Sequence, residues 1–103
     1  MSVINLNVQL KLASKLDIVK DLAERESHDY QKLATLANIH APVSVLQSGM
    51  RCVESTHKRL DTAIEEAANM VKKNPALLKR LEWHHGLQII KPRLIVMGVP
   101  VKI

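Results

Sequence analysis

Two places in the chain set a carboxylate three residues before an imidazole: Glu54-x-x-His57 and Glu82-x-x-His85. On a helix that spacing puts both groups on one face. Four-helix di-metal proteins use two such pairs with two further glutamates. The second pair ends against Gly86, at the close of a short predicted helix, which fits that scaffold poorly. The expectation is therefore no metal site, with His57 in a packing role and His84 and His85 at a solvent-facing helix end. Cys52 and His57 lie five residues apart, about 140° around a helix, so they cannot pair locally as nucleophile and base. No glycine precedes Gly49, and neither a phosphate-cradling loop nor a G-x-S-x-G elbow occurs. The residues point to a protein that is not an enzyme and carries no cofactor.

Binding chemistry is better supplied. The net charge is +5, and residues 72–103 carry seven basic side chains against one acidic. This basic third attracts nucleic acid or an acidic protein face. "KRLEWHHG" holds the chain's one tryptophan. Trp and Arg are enriched where interfaces concentrate their binding energy. The candidate partner-binding set is Lys72, Lys73, Lys79, Arg80, Trp83, His84, His85, Lys91 and Arg93. The competing expectation for Trp83 is that it packs the short helix onto a sheet, since most tryptophans are largely buried.

These groups need elements to hold them. With 47% hydrophobic and 24% charged residues over 103 positions, a single domain, 1–103, with a modest core is expected. Only 2% of residues are aromatic, so that core is aliphatic and base-stacking platforms are nearly excluded. "VINLNVQLKL" alternates apolar and polar residues and predicts a half-buried strand over 1–12. Ser14-x-x-Asp17 then reads as a helix start. Leu12, Leu16, Val19, Ala23, Glu26, Tyr30, Leu33 and Ala37 follow heptad spacing. The same spacing returns after Pro42, from Val43 and Leu46 through Met50, Val53, His57 and Leu60 to Val71. Residues 14–73 are thus expected to form a long antiparallel helical hairpin. Its second helix, if continuous over 42–73, is about 48 Å long. Glu26 and His57, the two polar residues in the stripes, fall within about a turn of each other and are expected to set register. Residues 74–103 are expected as a basic helix–strand segment: Asn74 and Pro75 start a short third helix, Gly86 stops it, and β-branched residues broken by Pro92 and Pro100 form strand.

The turn of the hairpin also admits another reading. "LATLANIH" resembles the first half of a bacterial-repressor helix-turn-helix, with Ala34 packing, Asn38 turning and Ile39 plugging the core. That resemblance implies a recognition helix from Pro42, with Ser44, Gln47 and Ser48 meeting bases and phosphates. It departs at Ser44, where that family carries an apolar residue.

The fold expected is α+β and helix-dominated: N-terminal strand, long antiparallel helical hairpin, short third helix, and C-terminal strand or strands pairing with the N-terminal one. A lone cysteine suggests a reducing compartment, and neither a signal peptide nor a membrane span is visible, so a cytoplasmic protein is expected. The exposed stripes suggest a dimer or tetramer. The functional expectation is a small regulatory or inhibitory interaction protein, of the kind phages and mobile elements encode. Its basic third would bind an acidic face of a nucleic-acid-processing protein, or nucleic acid itself. The alternative is a sequence-specific transcription regulator using residues 33–49.

Overall fold

A computed structural model describes residues 6–101, which form four helices. Helix α1 runs Leu6–Asn38 and helix α2 Val43–Lys73. Helix α3 is the single turn Leu77–Arg80, and α4 spans His85–Val96. The expected hairpin is present. Gly49 faces Leu33, Thr56 meets Asp29 and Lys15 pairs with Glu66, so α1 and α2 run antiparallel along their length.

The α+β expectation is overturned, because there is no strand among the described residues. Residues 6–12 of the predicted N-terminal strand are helical, and residues 1–5 lie outside the described residues. Leu12 is fully buried and Val8, one turn earlier, packs against the core, while Leu6 and Leu10 face solvent. Burial at i and i+4 is a helical pattern, and it prevails over the alternation. Because the helix already runs through Ser14, no helix starts there. Residues 87–96 of the predicted C-terminal strand lie in helix α4, so no strand pairing exists among the described residues. Leu87, Ile90 and Leu94 line its buried side at helical spacing, and their burial overrides weak β propensity. Pro92 sits inside α4 but is exposed. Residues 102–103 of that prediction lie outside the described residues.

Both turns that close this architecture follow one geometry. At the hairpin tip the Ala41 N–H donates to the Leu36 carbonyl and the His40 N–H to the Ala37 carbonyl. His40 carries φ of 54°. This is the Schellman closure, with a left-handed residue just past the helix, and here a histidine occupies the place glycine favours. At the end of α4 the Val99 N–H donates to the Leu94 carbonyl and the Gly98 N–H to that of Ile95, with Gly98 at φ 81°. The helix stop is thus Gly98. Gly86 instead lies in the first turn of α4. There a Cβ would stand 2.5 Å from the carbonyl oxygen of Leu16, so the missing side chain lets α4 press onto the α1 backbone.

The core occupies one half of the elongated molecule, whose described residues extend 61 × 24 × 19 Å. Leu12, Leu16, Val19 and Leu22 of α1 meet Leu60, Ala63, Ala67 and Val71 of α2. Leucines on one helix against alanines on the other allow close approach. Helices α3 and α4 complete the cluster with Leu77, Leu81, Leu87, Ile90 and Leu94. Beyond Leu60 toward the tip, only Val53 and Thr56 are buried. The hairpin therefore has a three-layered base and a bare two-helix arm.

Candidate interaction surface

Helix α2 ends in Lys72 and Lys73, and the next turn carries Lys79 and Arg80 in the last turn of α3. Cations at these carboxyl-terminal ends meet the negative pole of each helix. Lys72, Lys73, Lys79, Arg80 and Lys91 have no ion-pair partner among the described residues. Their charge is therefore available at the base of the molecule.

Trp83, three residues after Arg80, has 72% of its surface exposed, so it does not pack the short helix down. Its indole N–H donates to the Arg80 carbonyl at 3.1 Å, and its ring tilts against that of His84 with centroids 5.3 Å apart. The polar edge is satisfied internally, which leaves the apolar face to the solvent. Covering an exposed indole stabilises a complex by roughly 2–4 kcal/mol at 25 cal/mol per Å². A groove of about 380 Å³ lies between α3 and the C-terminal segment, with Leu78, Leu87 and Pro100 as apolar lining and Lys79, Glu82 and Lys91 as polar lining.

Two residues of the predicted set serve the fold instead. His84 is 6% exposed and joins two elements. Its Nδ1 accepts from the Gly86 N–H at 2.9 Å, capping α4, while Nε2 lies 2.6 Å from Asp17 Oδ1 on α1. With Nδ1 accepting, Nε2 bears the proton and donates to the carboxylate. Arg93 reaches across to α2, bonding Asp61 at 2.6 Å and also Glu65. Those hydrogen bonds, Asp61 first, raise its pKa above the ordinary guanidinium value. His85 is exposed.

In the hairpin, His57 Nδ1 lies 2.7 Å from Glu26 Oε2. The imidazole is 64% exposed, so the pair rims the interface rather than filling it. Asp29 accepts from Thr56 Oγ1 at 2.8 Å and faces the Cys52 thiol at 3.7 Å. Ser44, Gln47 and Ser48 are exposed on the first turns of α2, which lies antiparallel to α1. A helix-turn-helix instead crosses its two helices at about 90–120°. Sequence reasoning missed Asp17 as the partner of His84, since 67 positions separate them and no local pattern links them.

Among the described residues no group of three or more metal-binding side chains converges, and no helix is long and apolar enough to cross a membrane. The chain matches no family model, no curated protein and no solved structure among known proteins.

Proposed function

We propose that this chain is a small, non-enzymatic, self-associating interaction protein of the cytoplasm, regulatory or inhibitory in role, whose basic end binds an acidic protein surface. The exposure of Trp83 beside Arg80, in a part of the chain where Lys72, Lys73, Lys79, Arg80 and Lys91 have no ion-pair partner among the described residues, carries this reading. An exposed indole with its N–H already satisfied is an apolar anchor, and the lysines of this basic segment with Arg80 steer a carboxylate-rich partner toward it. The groove at α3 has apolar lining and includes Glu82, which suits a protein side chain better than a phosphate backbone. The alternative, a DNA-reading turn at Ser44, Gln47 and Ser48, has less support because α1 and α2 run antiparallel there.

Fluorescence anisotropy with a labelled polyglutamate peptide and with mixed-sequence duplex DNA, at low and physiological salt, tests this. The peptide is expected to bind, to weaken as salt rises, and to be lost in Lys79→Glu with Arg80→Glu. Tighter binding of DNA than of the peptide would reassign the partner to nucleic acid. Binding of neither at low salt would remove the basic end as the functional surface.

A further inference from the structure

The heptad stripe that α3 and α4 cover at the base continues along the arm, where Val53 is the buried residue in it and the others stand partly or fully exposed. On α2 the stripe residues Leu60, Ala67 and Val71 are buried, whereas Met50 is 53% and Val43 68% exposed. On α1, Leu12, Leu16 and Val19 are fully buried, whereas Tyr30 is 53% exposed. Helix α4 holds its place through Gly86 on Leu16 and Arg93 on Asp61 and Glu65, contacts confined to the base. The arm thus lacks the layer that completes the base.

We propose that a second copy of this chain supplies that layer, two arms packing face to face and antiparallel as a four-helix bundle. This deepens the self-association in the reading above and uses a surface remote from the basic end. Three observations favour a second copy over another partner.

The first is fit. In a two-fold pair with arms running oppositely, each arm enters the layer that α4 occupies at the other's base. Arms side by side in the same direction would bring two copies of α4 into one layer. The bare stretch, about 15 residues on each helix or about 23 Å, matches the arm that fills it, because both are the same segment.

The second is charge. Along the arm Tyr30, Ala34, Ala37, Val43, Leu46 and Met50 form an apolar strip, with the exposed Glu54, one turn beyond Met50, as a charged side chain on it. At its root, Glu26 and His57 are already paired. Interface cores are depleted of charge in this way. The opposite face of the arm carries Asp29 and Lys32 beside its groove.

The third is area. Two helices side by side over that length offer on the order of 600 Å² per copy, so a pair buries about 1,200 Å², at the lower end of stable specific interfaces. An interface of this size belongs with weak, transient associations.

Tyr30 and Met50 lie near the middle of the arm, close to the two-fold axis, so each faces its own counterpart. Val43 at the tip faces the partner's root. Sedimentation equilibrium of the full chain is expected to show a concentration-dependent mass approaching twice that of one chain. Met50→Glu or Tyr30→Glu should weaken dimerisation about tenfold or more, with helix content unchanged by circular dichroism. Ser48→Glu, on the other face, should leave it unaltered. In a Cys52→Ser background, Met50→Cys should form a disulfide-linked dimer on oxidation, and Val43→Cys should not. A monomer at every concentration overturns the proposal, as does a dimer that survives both glutamate variants or cross-links through Val43→Cys instead. The Met50→Cys result decides the matter even if a glutamate variant unfolds. Loss of polyglutamate binding with dimerisation intact would contradict only the basic-end reading.

Discussion

Gly86 and Leu16 meet backbone to backbone: a Cβ on Gly86 would stand 2.5 Å from the Leu16 carbonyl oxygen and 2.9 Å from the Leu16 Cβ. The contact fixes where α4 lies on the hairpin, and it cannot relax by turning a side chain. Gly86→Ala is therefore expected to destabilise by about 2–3 kcal/mol, as overpacking of a rigid site does, despite alanine's better helix propensity. Urea denaturation with the transition followed by Trp83 fluorescence measures this. A neutral or stabilising Gly86→Ala would mean that α4 does not dock this closely.

The His84 imidazole works in two directions, capping α4 through Nδ1 and tying it to α1 through Nε2. Removing it costs both interactions, whereas Asp17→Ala removes one. His84→Ala should cost about 2 kcal/mol and Asp17→Ala about 1 kcal/mol. In the double variant the second loss should largely vanish, since the pair is in contact. Thermal unfolding of the four proteins gives the cycle. Strict additivity would show that the contact contributes nothing.

At the hairpin tip His40 adopts φ 54°, a left-handed conformation unfavourable for a residue with a Cβ. His40→Gly relieves that strain and should raise stability by about 0.5–1 kcal/mol, after allowance for glycine's freer unfolded chain. Differential scanning calorimetry would register a higher Tm. A lower Tm would indicate that the imidazole makes a contact worth more than the strain.

The two carboxylates that Arg93 bridges raise its pKa. A base with a raised folded-state value stabilises at every pH below its unfolded range, and that contribution goes only as pH climbs through the raised value. The link between α2 and α4 therefore keeps its charge from neutral to mildly alkaline pH. Arg93→Met should cost about 0.5–1 kcal/mol, since all three partners are partly exposed. It leaves Asp61 and Glu65 to repel each other one turn apart. The deficit should shrink in high salt; urea midpoints at two salt concentrations check it.

The hairpin was legible in the sequence because its heptads are long, and chain reversal at Asn38–Ala41 brings the two stripes together within one chain. The proximity of Glu26 to His57 followed from that register alone. The ends were not legible, for a physical reason. Alternating Leu6, Val8, Leu10 and Leu12 satisfies a strand, and it also satisfies a helix of which only Val8 and Leu12 turn inward. Between the two, burial against helices distant in sequence decides, and no local pattern carries that information. The last helix was obscured in the same way: Ile89, Ile90, Ile95 and Val96 with two prolines favour strand, while Leu87, Ile90 and Leu94 favour helix. The basic end was visible from composition. That Arg93 and His84 are occupied by structural bonds depends on Asp61, Glu65 and Asp17, all far away along the chain.

The most direct test of the basic end as a binding surface is the emission of Trp83 itself, since it is the single tryptophan and stands 72% exposed. Titrating the full chain with polyglutamate at low salt should shift that emission to shorter wavelength, saturably, as the indole leaves water. Added salt should reverse the shift, and Lys79→Glu with Arg80→Glu should abolish it. An emission maximum unmoved throughout the titration would contradict a partner seated on Trp83.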